Sequence, residues 1–101
     1  KIIKIISKIN YSDESSVIKK QLVRSTTSVA ANFRAVCRVR SEKEKFAKLC
    51  IVVEEADEVL FWLELLVECD IVSQEKINVA YIEALEILKV MSSFKAKLKP
   101  N

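Results

Sequence analysis

Apolar side chains recur three and four positions apart along the chain, the spacing that places residues on one face of an α-helix. The pattern divides into four segments. The first ends near Ile9, the second runs from about Ser16 to Val39, the third from Ser41 to about Cys69, and the fourth from Ser73 into a lysine-rich C-terminus. No segment alternates with the period of two expected of a strand. The sequence therefore predicts an all-α protein.

Polar residues at the segment boundaries predict where the helices begin. Ser41 is followed by Glu44, a capping box in which each side chain accepts a hydrogen bond from the other residue's backbone. Ser73 is placed to cap the fourth helix, with Val72 and Ile77 as a hydrophobic staple. Because the links are short, the four helices are expected to form an antiparallel, up-down-up-down four-helix bundle.

Composition supports long helices in a single domain. The chain has no glycine and one proline, Pro100, so it lacks the usual residues for left-handed turns and helix breaks. At 101 residues it is expected to form one domain over residues 1–101. The helical pattern is already under way at Lys1, so the first helix is expected to be incomplete.

Candidate catalytic and metal-binding chemistry is sparse. The chain has no histidine, which removes the usual general base near neutral pH and the commonest imidazole ligand. Cys37, Cys50 and Cys69 form neither a disulfide framework nor a zinc-binding spacing. We expect reduced cysteines in a cytoplasmic protein, no enzymatic activity, no metal and no cofactor. No apolar run approaches the ~20 residues of a membrane span, so no membrane partner is expected.

Each predicted helix has one apolar face, and the third has more apolar surface than one face needs. The core face of the second helix consists of Ile18, Leu22, Val29, Phe33 and Val36. The main face of the third consists of Leu49, Val52, Val53, Ala56, Leu60, Leu63 and Val67, and a second stripe of Ile51, Phe61, Trp62 and Leu65. The fourth helix is expected to bury Ile77, Tyr81, Ala84, Leu85, Leu88 and Met91. The surplus stripe predicts a homo-oligomer that associates through the third helix, with a contribution from the fourth.

The second helix also carries a basic face. Lys20, Arg24, Arg34 and Arg38 fall within about 80° of one another on a helical wheel, and Arg40 and Lys43 extend the charge into the turn. Neighbouring cations of this kind can displace counterions from a nucleic-acid backbone. The same pattern is typical of an ordinary solvated helix face, and aromatic residues for base stacking are not interleaved with it. Both interpretations stay open from the residues alone.

Polar residues on apolar faces predict a network between the second and third helices. Ser25 and Asn32 lie on the apolar side of the second helix, and Glu55 and Glu58 share the surplus stripe of the third. A semi-buried carboxylate needs a counter-charge, which Arg24 or Arg34 could supply. A carboxylate-bridged metal site is the alternative, and it is disfavoured because such bundles usually take Glu-x-x-His ligands.

Two segments, RSTTSVAANFRAVCRVRS and KFAKLCIVVEEADEVLFWLELL, resemble the bacterial four helix bundle protein family, also called the 23S rRNA intervening-sequence or ribosomal S23-like family. The resemblance covers about residues 17–98. Its R-S-x-x-S-x-x-x-N pattern is met by Arg24, Ser25, Ser28 and Asn32, and its E-A-x-E-x-x-x-W-L pattern by Glu55, Ala56, Glu58, Trp62 and Leu63. Where many relatives have Ala-Glu-Gly after the asparagine, this chain has Phe33, Arg34 and Ala35.

The resemblance implies a homo-oligomeric bundle, of which a pentameric ring is one form. Some relatives are encoded within 23S rRNA genes, and a similar bundle is an accessory subunit of reverse transcriptases. We therefore expect a non-enzymatic protein that binds RNA or another nucleic acid through Lys20, Arg34, Arg38, Arg40 and Lys43. The alternative is a protein-interaction scaffold or accessory subunit without intrinsic nucleic-acid specificity. The signature residues Arg24, Ser25, Ser28, Asn32, Glu55 and Glu58 are expected to form a structural polar clamp.

Overall fold

The computed structural model describes residues 2–7 and 13–98, and the regular structure in these ranges is entirely helical. Three long helices follow a short one. They are α1 (Ile2–Ser7), α2 (Asp13–Arg38), α3 (Glu42–Glu68) and α4 (Gln74–Leu98). The all-α prediction is confirmed. The end of the first predicted helix at Ile9 lies outside the described residues.

The helix boundaries follow the predicted caps, with two differences. Helix α2 begins at Asp13, three residues before the predicted start at Ser16. At the start of α3, the Glu44 N–H donates to Ser41 Oγ at 3.0 Å. The reciprocal bond, from the Ser41 N–H to the Glu44 carboxylate, is not formed within the described chain. At the start of α4, the Lys76 N–H donates to Ser73 Oγ at 3.4 Å.

The turn from α3 to α4 solves the problem of ending a helix without glycine. Asp70 takes a left-handed backbone conformation with φ of 57°. The Ile71 N–H donates to the Leu66 carbonyl and the Asp70 N–H to the Val67 carbonyl, both at 3.0 Å. This pair of bonds is a Schellman motif, which usually places glycine at the left-handed position. Aspartate is one of the few other residues that tolerate it.

Helix α3 lies at the centre of the packing. It packs against both α2 and α4, while α1 contacts both α2 and α4. Within residues 13–98, α2 and α4 make no direct backbone contact with each other. The resulting molecule measures 46 × 19 × 19 Å.

The core is built from large aliphatic residues of all three long helices. Leu22, Leu49, Leu63, Leu66 and Ile77 are fully buried. The predicted faces are only partly correct at their edges. Half-buried positions are Val29, Val53, Val67, Tyr81, Leu85, Leu88 and Met91. Phe33 was predicted to belong to the core and is 43% exposed.

The exposure of Phe33 follows from an open groove between α2 and α4. Val52 of α3 forms part of its floor, and its walls include Val29 and Phe33 of α2 and Ile87 and Val90 of α4. The groove has a volume of about 610 Å³. Apolar residues on both walls thus face an open space that the described helices do not fill.

Candidate functional site

Arg24 joins α2 to α3 through two carboxylates. Its Nη1 donates to both oxygens of Glu55 at 3.2 Å, and its Nη2 donates to Glu58 Oε1 at 2.8 Å. The same guanidinium also donates to Ser25 Oγ at 3.2 Å and, through Nε, to Gln21 Oε1 at 3.0 Å. Glu55 and Glu58 lie three positions apart and therefore project from neighbouring places on α3. One cation thus meets two acids across the helix interface.

Burial and charge explain the role of this contact. Glu55 has only 15% of its side chain exposed, whereas Arg24 retains 48%. Hydrogen bonding to Glu55 raises the pKa of Arg24 above its ordinary value, and the nearby charges of Glu55 and Glu58 act in the same direction. The guanidinium therefore neutralises a largely buried carboxylate while about half of its own side-chain surface stays in water.

The structure separates the six predicted clamp residues into two groups. Arg24, Ser25, Glu55 and Glu58 come together as described above. Asn32 instead donates to the Ser28 carbonyl at 2.9 Å and to Ser28 Oγ at 3.2 Å, both on its own helix. Arg34, the other candidate partner for the acids, is exposed and lies about ten residues further along α2. The cross-helix contact therefore rests on Arg24, and Ser28 with Asn32 forms a local pair.

The remaining predicted cations differ from Arg24 in being unpaired. Arg34, Arg38, Arg40 and Lys43 are exposed, and none forms an ion pair with a carboxylate within residues 13–98. Lys20 is also exposed, yet it lies roughly 21 Å from Arg34 at 1.5 Å per residue of helix. The predicted basic face is thus interrupted at Arg24 and concentrated at the C-terminal end of α2.

Two lysines of α4 lie at the same end of the molecule, and their place in the sequence does not reveal this. The Lys95 ammonium sits 5.9 Å from the centre of the Phe46 ring, near the beginning of α3. Lys97 lies two residues further along α4 and is exposed. The antiparallel order of α3 and α4 is the signal that would have found them, because it returns the end of α4 to the α2–α3 turn.

The predicted interface stripe of α3 is unevenly exposed. Phe61 is 52% exposed, whereas Ile51, Trp62 and Leu65 are half-buried. Phe61 and Trp62 meet edge to face with ring centres 4.9 Å apart. Helix α4 exposes further large apolar residues, namely Val79, Ile82, Ile87, Val90 and Phe94. Exposed apolar surface is therefore more extensive on α4 than on α3.

Other chemistry is limited to the following observations. All three cysteines carry free thiols. Among the described residues, no three cysteine or acidic side chains are grouped closely enough to hold a metal ion. No helix described here is both long and apolar enough to cross a membrane.

Comparison with known proteins places the chain in a family. It is similar to a solved protein of unknown function from the S23 ribosomal protein family of Bacteroides thetaiotaomicron. The TM-score is 0.84 at 30% sequence identity, over 93% of this chain and 87% of that one. No curated protein sequence matches the chain. The profile of the 23S rRNA-intervening sequence proteins matches residues 1–93. The resemblance carried by the arginine, asparagine and tryptophan motifs is therefore confirmed, and the chain belongs to the 23S rRNA-intervening sequence protein family.

Proposed function

We propose that this protein is a non-enzymatic helical bundle of the cytoplasm that binds structured RNA through phosphate contacts. The observation that carries the proposal is the unpaired state of Arg34, Arg38, Arg40 and Lys43, in contrast to Arg24, whose charge is used within the fold. Exposed cations without internal partners are available to replace counterions on a nucleic-acid backbone. Because the chain belongs to the 23S rRNA-intervening sequence protein family, we propose RNA as the polyanion.

The test is RNA binding as a function of salt concentration. An RNA hairpin is titrated with the protein at several salt concentrations, and the affinity is plotted against salt on logarithmic axes. We expect a steep slope that flattens by about 3 in a variant carrying Arg34→Ala, Arg38→Ala and Arg40→Ala, at about one unit per phosphate contact. The control removes three exposed lysines elsewhere, through Lys20→Ala, Lys76→Ala and Lys89→Ala. Absence of binding at low salt, or equal flattening by both variants, would refute the proposal.

We further propose that the protein works as a homo-oligomer, for which a pentameric ring is one candidate arrangement. Exposed Phe61 and half-buried Ile51, Trp62 and Leu65 support an interface along α3, and exposed Val79 and Ile82 support a contribution from α4. Solution mass from light scattering tests this proposal. We expect a multiple of the 11.5 kDa chain mass that falls in Phe61→Glu and is retained in the neighbouring surface variant Asp57→Asn. A monomer at micromolar concentration would refute it.

The groove between α2 and α4 supports completion of the domain as an antiparallel four-helix bundle. Helix α1 contacts both of these helices, and Ile2 lines a narrower pocket with Val29, Ala84 and Ile87. We propose that the fourth position of the bundle is this groove alongside Phe33, and that a helix packed there stabilises the domain. A chain extended before Lys1 by three designed turns with isoleucines toward the groove should melt at a higher temperature. The same extension with serines at those positions is the control, and equal melting of the two extensions would refute the proposal.

A second candidate function is a protein-interaction scaffold, such as an accessory subunit without intrinsic nucleic-acid specificity. The exposed apolar residues of α4 favour this alternative, because large apolar patches commonly mark protein contacts. Isolation of the native complex with and without nuclease distinguishes the two functions. A partner retained after nuclease treatment favours the scaffold, and a partner lost on treatment favours RNA binding.

A further inference from the structure

One end of the molecule gathers the ends of three helices. The contact of Arg24 with Glu55 and Glu58 joins α2 to α3, and Lys95 near the end of α4 lies over Phe46 near the start of α3. Because these two contacts show how α2 and α4 are aligned with α3, residues 34–48 and 94–98 occupy the same end of the 46 Å long axis. This segment pair is termed the basic end below.

Charge is strongly divided between the basic end and the rest of the molecule. The basic end contains eight lysines and arginines and two glutamates, a net charge of +6. Elsewhere in residues 2–7 and 13–98 there are six lysines and arginines and twelve acids, a net charge of −6. The molecule is only 19 Å wide, so the eight cations share a small surface. Their mutual repulsion is reduced when an anion binds there.

Helix stability explains only part of this clustering. A cation near the C-terminus of a helix interacts favourably with the helix dipole, which accounts for Arg38, Lys95 and Lys97. Lys43 and Lys45 lie in the first turn of α3, where the dipole disfavours a positive charge. None of the eight cations forms an ion pair with a carboxylate in the described part of the chain. Carboxylate partners within the described part of the chain therefore do not account for their placement.

We propose that the RNA phosphate backbone binds across the basic end, where Lys95 and Lys97 of α4 add contacts to those of Arg34, Arg38 and Arg40. This inference rests on the proposed RNA binding and changes its geometry. The binding surface is an end of the bundle shared by three helices instead of a stripe along α2. Lys20, although it lies on the same wheel face as Arg34, takes no part, because it is in the first half of α2, away from the basic end.

The two geometries make opposite predictions for lysines of equal charge. Binding of an RNA hairpin is measured against salt for Lys95→Gln/Lys97→Gln and for the matched pair Lys20→Gln/Lys76→Gln. The first pair should lower the magnitude of the logarithmic salt slope by about 2, and the second should leave it unchanged. Lys97→Gln alone, which does not disturb the Phe46 contact, should lower it by about 1. Circular dichroism and solution mass verify that each variant keeps its fold and assembly.

The outcomes distinguish this inference from the proposed RNA binding on which it rests. If the Arg34, Arg38 and Arg40 variant flattens the slope while Lys95→Gln/Lys97→Gln does not, RNA binds along α2 and the end-on geometry is wrong. If Lys20→Gln/Lys76→Gln flattens the slope as much as the α4 pair, the effect is one of net charge and the geometry is also wrong. If no variant changes the slope, or no RNA binds, both proposals fail.

Discussion

Helices α2 and α4 both pack against α3 and are attached to it by different means. Helix α2 buries Ile18, Leu22 and Val36 and adds the charged contacts of Arg24. Helix α4 buries Ile77 near its start and then the small residues Ala80 and Ala84, while its second half leaves Val90 and Phe94 exposed. The apolar residues of α4 are less confined to one face than those of α2, and more of them therefore stay exposed.

The largest expected effect contrasts a buried residue of α2 with an exposed one of α4. Leu22 is fully buried, so Leu22→Ala should lower the free energy of unfolding by about 2–5 kcal/mol through lost burial and a residual cavity. Val90 is 58% exposed, and Val90→Ala should change the same quantity by about 0.5 kcal/mol or less. Urea unfolding of both variants measures the difference. Similar losses would mean that the groove is occupied in solution and that the contrast between α2 and α4 is absent.

The next effect tests the charged contact that distinguishes α2. Arg24→Gln leaves the largely buried Glu55 without its cation, so the melting temperature should fall. The fall should be smaller than that caused by Leu22→Ala. Arg34→Gln removes the same charge from an unpaired position and serves as the control. Because the guanidinium is partly in water, added salt should narrow the gap between Arg24→Gln and the wild type. Equal melting of Arg24→Gln and Arg34→Gln would contradict a stabilising role.

These contrasts show how much of the fold and site was available from sequence. The period of the apolar residues and the serine caps at Ser41 and Ser73 were sufficient for the helices, since both are local signals. The solvent exposure of Phe33 was not predictable from the sequence, because it depends on the space between two helices far apart in sequence. The choice between Arg24 and Arg34 as partner of Glu55 depends on the register of α2 against α3, and wheel position alone does not determine that register.

A smaller effect concerns the turn that connects α4 to the rest of the molecule. Asp70 holds a left-handed conformation that glycine adopts without steric cost. Asp70→Gly should therefore raise the free energy of unfolding by roughly 0.5–1 kcal/mol. This gain does not exceed the energy that a left-handed conformation costs a residue other than glycine. Asp70→Val, whose branched side chain disfavours positive φ, should lower it. Thermal melts of the pair measure the effect, and destabilisation by glycine would show that the aspartate side chain supports the turn.

The smallest effect concerns a polar contact between α4 and α3. The Tyr81 hydroxyl donates to Glu64 Oε1 at 2.9 Å, and this hydrogen bond raises the pKa of Tyr81 above its ordinary value. A raised pKa in the folded state means that the contribution is complete below the unfolded tyrosine value of about 10 and is lost as pH rises through the folded value. Tyr81→Phe should be slightly less stable than the wild type at neutral pH, and the gap should close at strongly alkaline pH. A gap independent of pH would contradict this assignment.

The Arg24 contact has a consequence for the alignment of the two helices it joins. Leu22, Val29 and Val36 recur along α2 at intervals of two helical turns, so sliding α2 along α3 by two turns would still bring apolar residues together. Such a slip would separate the guanidinium from both carboxylates and leave Glu55 facing α2 without a cation. A polar group at one place can therefore select a single alignment among several of similar apolar contact. In this protein, the contact of Arg24 with its two carboxylates sets the position of α2 along the axis of α3.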